Sequence, residues 1–65
     1  MVQEEKVIKF KSRVKELYKI KKAELIPMVE RLYRVSDFKK EPKDVIVSAI
    51  LEAEFGRKFM REVNQ

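Results

Sequence analysis

The sequence predicts a small all-α protein, a helical hairpin or bundle made of a long helix over about residues 4–35 and a second over about 42–62. Three observations predict it. Apolar residues recur at helical spacing through most of the chain, Gly is confined to Gly56, and the two prolines, Pro27 and Pro42, fall where helices bend or begin. At 65 residues there is room for a single domain, 1–65.

In the first segment Val7, Phe10, Val14, Leu17, Leu25, Met28, Val29, Leu32 and Val35 share one helical face, and the phase carries across Pro27. Pro27 removes the hydrogen bond to the Ala23 carbonyl and crowds that oxygen, so the helix is expected to kink or break there. A competing reading makes residues 6–13 a short strand, with Ile8 and Phe10 inward and Lys9, Lys11 and Arg13 outward. The helical period accounts for more of the apolar positions, Val7 included.

Residues 36–43 read as a loop with space for one helical turn at Asp37-Phe38-Lys39. Pro42 then suits the first position of the second helix, where its missing N–H costs nothing, and Asp44 suits the positive end of the helix dipole. Gly56 disfavours the helix by about 1 kcal/mol relative to Ala, and a close helix crossing is expected there in preference to fraying.

The second helix is apolar on two sides. Ile46, Ala49, Ile50, Ala53 and Met60 form one stripe, and Val47, Leu51, Phe55 and Phe59 form another. One remaining helix can shelter only one of them. Val47, Leu51, Phe55 and Phe59 are therefore expected to form an oligomer interface, in a homodimer or a larger complex. The usual staples of a small domain are missing: the sequence has no Cys and no His, so neither a disulfide, a structural metal nor any other cofactor is expected.

Catalysis has little to draw on. Ser12, Ser36 and Ser48 lack a His partner, and Glu4/Glu5 and Glu52/Glu54 point apart on a helix. No Gly-rich phosphate loop occurs. A non-enzymatic protein is expected. No apolar run has the length of a signal-peptide core or a membrane span, which predicts a cytoplasmic protein without a membrane partner. Abundant charge with scarce Asn, Gln and Gly fits a thermophile.

The net charge of +5 is uneven: +4 over residues 1–24, +2 over 25–43 and −1 over 44–65. Lys6, Lys9, Lys11, Arg13, Lys15, Lys19 and Lys22 are accordingly the candidate nucleic-acid contacts, because cations that neutralise phosphates release counterions. Lys11, Lys15, Lys19 and Lys22 occupy one flank of the first helix, and Lys6, Lys9 and Arg13 the other. Tyr18 and Tyr33 fall on the apolar arc, as core residues with the hydroxyl at the rim.

Residues 42–55, Pro-Lys-Asp-Val-Ile-Val-Ser-Ala-Ile-Leu-Glu-Ala-Glu-Phe, resemble the second helix of ribbon–helix–helix DNA-binding proteins. The resemblance implies an intertwined dimer and a basic N-terminal strand in the major groove, with Lys9, Lys11 and Arg13 as readers. It covers about a fifth of the chain. The segment before it is longer than the family's first helix, contains Pro27 and lacks the usual glycine turn. Two functions follow: a dimeric basic protein that binds duplex DNA as a small regulator or accessory factor, or a helical interaction subunit with no nucleic-acid contact.

Overall fold

The computed structural model describes residues 3–34 and 38–63, and every regular element within them is helical. Helix α1 spans Glu4–Lys19, α2 Lys22–Tyr33, α3 Lys43–Phe55 and α4 Arg57–Val63, with a single 3-10 turn at Phe38–Lys40 before α3. Val35, the expected end of the first helix, and Ser36 and Asp37 of the expected loop and turn lie outside the described residues.

Helix α1 opens with Glu4 and Glu5 and closes with Lys19, the arrangement that suits its dipole. Residues 6–13 belong to it, so they are helical and not extended. The chain then breaks at Ile20, not at Pro27. Ile20 is extended (φ −83°, ψ 138°), its N–H donates to the Leu17 carbonyl at 3.1 Å, and its side chain packs against the core.

Pro27 is instead tolerated inside α2. Its missing bond falls on the carbonyl of Ala23, in the first turn, and both residues are exposed on the outer side of the helix. The reason for the upstream break is tertiary. A straight helix from 4 to 35 would be about 48 Å long at 1.5 Å per residue and would touch α3 along one side only. Two shorter helices cover two sides.

That is what α1 and α2 do. Leu17, Leu25, Val29, Ile46, Val47, Ile50 and Leu51 form one buried cluster, to which α1, α2 and α3 all contribute. The Tyr33 hydroxyl of α2 donates to the Ala49 carbonyl of α3 at 2.6 Å, whereas Arg13 and Phe10 of α1 reach Glu54 and Phe55. The second apolar stripe of α3 is thus covered by the chain's own first helix: Val47 and Leu51 are 1% and 4% exposed. The premise that another molecule has to cover it does not hold here.

Pro42 stands one residue before α3, as its cap, and Asp44 lies in the first turn as expected. The expected continuous helix to about 62 ends at Gly56, whose φ of +95° and ψ of 150° is backbone that L side chains rarely adopt. No atom lies within 4 Å of the place a Cβ would occupy. Gly56 therefore serves a change of chain direction, not a close helix crossing. Beyond it α4 folds back, and Phe59, 6% exposed, meets Phe10.

Candidate nucleic-acid interface

The two chain reversals sort the charged residues by end. At one end lie the close of α1, the start of α2, the 3-10 turn and the start of α3. Three hydrogen bonds tie these pieces together. Lys22 Nζ donates to the Lys39 carbonyl at 3.1 Å, Lys43 Nζ donates to the Tyr18 carbonyl at 2.7 Å, and the Tyr18 hydroxyl donates to Asp44 at 2.8 Å. The Lys43 ammonium also lies 5.9 Å from the centre of the Tyr18 ring.

The result is a lysine-rich end. Lys15, Lys19, Lys21, Lys39 and Lys40 are exposed, and Lys22 and Lys43 are half-buried beside them. Glu24, Glu41 and Asp44 are the acids interspersed at the starts of α2 and α3 and in the turn, and the seven lysines outnumber them. Neither Lys21 at the head of α2 nor Pro42 at the head of α3 supplies a side-chain cap; the Glu24 and Val45 N–H groups donate to the Lys21 and Pro42 carbonyls, and the two N–H groups before each of them lie at this end. Lys11, Lys15 and Lys19 extend the charge back along α1 at i, i+4 spacing. Like charges at that spacing destabilise a helix by about 0.2–0.5 kcal/mol per pair, so local folding does not favour this row.

The seven cations expected from the sequence divide in three. Lys9, Lys11, Lys15 and Lys19 are exposed. Lys22 joins the lysine-rich end while anchored to the turn. Lys6 and Arg13 face the opposite end and are engaged there. The Lys6 ammonium sits 4.7 Å from the centre of the Phe59 ring. Arg13 donates from Nε and Nη2 to the Glu54 carboxylate at 2.9 and 2.8 Å and from Nη1 to Glu16 at 3.0 Å. The Glu54 hydrogen bonds in particular hold the Arg13 guanidinium above its usual pKa. Arg13 is a clamp between α1 and α3, its guanidinium engaged by Glu54 and Glu16 and set apart from the exposed lysines.

Ile8 and Phe10 do not share a face. Ile8 is 59% exposed among the lysines, while Phe10 packs against Phe55 and Phe59 with ring centres 5.4 and 5.5 Å apart. The alternation that would present Lys9, Lys11 and Arg13 together is therefore absent. Of the expected interface set, Val47, Leu51 and Phe59 are buried and Phe55 is half-buried within the same molecule.

Lys39, Lys40 and Lys43 are the residues that sequence reasoning missed. Their signal, a basic turn ahead of the second helix, was visible, but the partnership with Lys15, Lys19 and Lys22 requires the reversal at Ile20. Among the described residues there is no cluster of three or more His, Cys, Asp or Glu able to hold a metal ion, and no helix long and apolar enough to cross a membrane. Comparison with protein-family models, curated proteins and solved structures finds no match to this chain.

Proposed function

We propose that the protein binds duplex nucleic acid through its lysine-rich end, gripping phosphates and not reading bases. The observation that supports this is the gathering of Lys15, Lys19, Lys21, Lys22, Lys39, Lys40 and Lys43 around two helix starts without side-chain caps. Ammonium groups and free backbone N–H groups both suit phosphate oxygens, and a rigid double helix presents those oxygens in rows. No planar, hydrogen-bonding side chain of the Asn, Gln or Arg type stands among these lysines, so the contact carries charge and not sequence. A small accessory factor fits such a surface better than a sequence-specific regulator.

The alternative, an interaction subunit that docks by Val47, Leu51, Phe55 and Phe59, would need a different face, because α1 and α4 already cover those residues. The test is retardation of a 20-base-pair duplex at two salt concentrations. With about four phosphates neutralised, affinity should fall on the order of 10²-fold between 50 and 200 mM salt. Reversing the exposed turn charges, Lys39→Glu with Lys40→Glu, should weaken binding at least tenfold with the helix content unchanged. Binding that ignores both salt and this variant overturns the proposal.

A further inference from the structure

The opposite end of the molecule carries a different surface. Between the start of α1 and the α3–α4 reversal lies an open cleft of about 540 Å³, within the size range of small-molecule sites. Phe55 and Phe59 line it on one side, stacked with their ring centres 5.4 Å apart. Gln3, Lys6, Arg57 and Lys58 line it elsewhere, with Glu62 the one acid of the lining. Gly56 keeps its floor free of a side chain, since nothing approaches the position of its missing Cβ.

Its parts are fixed to different degrees. Lys6 is held at the wall by the face of Phe59, and Arg57 is tied to Glu52 at 3.2 Å across the surface. Lys58 is exposed and makes no salt bridge among the described residues. Phe55 is half-buried, though its ring pairs with both Phe10 and Phe59. A second recess, lined by Glu5, Lys9 and Glu54, joins the first at Gln3, Lys6 and Phe55, and its balanced charges leave the anion to the first.

We infer that this cleft binds a nucleotide, with the phosphate held by Lys6, Arg57 and Lys58 and the base laid against Phe55. The chemistry selects that class. A long-chain fatty acid needs a deep apolar channel and one cation, whereas this cleft is shallow and offers three. A bare inorganic phosphate has no use for the two rings. A flat, weakly polar base joined to an anionic group matches both halves, in the way that sequence-tolerant single-strand binders combine a basic groove with aromatic platforms. The site goes beyond the duplex contact proposed above, because it calls for an unstacked base and lies at the other end of a molecule 34 Å long. Two sources offer this chemistry: a free mononucleotide, or the unpaired end of a strand.

The experiment is amide chemical-shift mapping on the full chain with three probes: AMP, a 10-nucleotide single strand and a blunt duplex. AMP should shift the amides of Lys6 and of residues 55–59. If the single strand shifts the same residues more strongly, the source is a strand end, and if it leaves them unmoved the source is a free nucleotide. Lys58→Glu, on an exposed side chain, should lower AMP affinity about tenfold while leaving duplex binding within twofold. Lys39→Glu with Lys40→Glu should do the reverse. AMP shifts confined to the lysine-rich end, or unchanged AMP affinity in Lys58→Glu, overturn the inference. Failure of the duplex alone to bind overturns only the earlier proposal.

Discussion

The two ends of this molecule solve opposite problems with the same helices. At the lysine-rich end, Ile20 and Phe38 pack against the core from the chain reversal and the turn, and hydrogen bonds from Lys22, Lys43 and Tyr18 tie the surface pieces together. At the other end the joints are three phenylalanine rings and the Arg13 clamp. Exposed ammonium groups repel one another and contribute little to stability, while packed rings contribute about 0.5–1.5 kcal/mol per pair beyond the area they bury. One end therefore carries charge that folding does not need, and the other carries the packing that permits it. The difference separates a charged surface that folding does not need from an aromatic one that holds the fold and also walls the cleft.

The comparison breaks most severely in the shared centre. Leu51 lies on the side of α3 that faces the aromatic end and is 4% exposed, so Leu51→Ala should cost about 2–5 kcal/mol. For a domain this small that is much of the total stability, of the order of 0.05–0.15 kcal/mol per residue. Urea unfolding followed by circular dichroism measures it. Because α1 covers Leu51 within the chain, the midpoint of the wild-type transition should not move over a hundredfold range of protein concentration. A midpoint that rises with concentration would show that another copy shares in covering this face.

A smaller effect sharpens the contrast. Glu54→Gln keeps the shape of the Arg13 partner and removes its charge. Arg13 and Glu54 side chains are 27% and 32% exposed, so solvent screens the pair, and a loss of about 1 kcal/mol is expected, shrinking in 0.5 M salt. The double charge reversal at Lys39 and Lys40 should instead leave stability unchanged or slightly raised. A Glu54→Gln protein as stable as the wild type would mean that the rings alone hold α1 to α3.

The sequence makes the core of this molecule readable and its turns obscure. Leu17, Leu25, Val29, Ile46 and Ile50 announce themselves by helical period, and they are the residues found fully buried. Pro42 and Asp44 mark the start of α3 because their preferences are local. Nothing local marks Ile20 as a stop. Lys19-Ile20-Lys21 is acceptable helix, whereas Pro27 looks like a breaker. The outcome is decided by contacts with α3, where two short helices bury both apolar stripes and one long helix buries one. For the same reason the two-stripe pattern was legible, but its interpretation as a partner surface was not. Gly56 shows the other limit, since a glycine chosen for positive φ and one chosen for close packing are the same letter. The lysine-rich end was half visible: the cations of α1 could be counted, but their neighbours in the turn appear only after the chain doubles back.

The finest test lies at the lysine-rich end, where the Tyr18 hydroxyl reports its joint directly. The Tyr18 hydroxyl donates to the Asp44 carboxylate, and that hydrogen bond, with smaller help from partial burial and the neighbouring charge, raises its pKa above 10. Tyr33 is raised too, chiefly by burial, with the Glu52 charge adding to it. The sign is the same for both. A phenol whose pKa is higher in the folded state contributes stability that is fully present below the unfolded pKa near 10, and the contribution disappears as pH rises through the folded value. In a Tyr33→Phe background, absorbance near 295 nm follows Tyr18 alone. Its midpoint should lie above that of the urea-unfolded chain, and Asp44→Ala, which removes the acceptor and its charge, should close most of the gap and leave only the part due to burial. Equal midpoints before that substitution would mean that Tyr18 does not fasten α1 to α3 in solution, leaving Lys43 as the tie between those helices at this end.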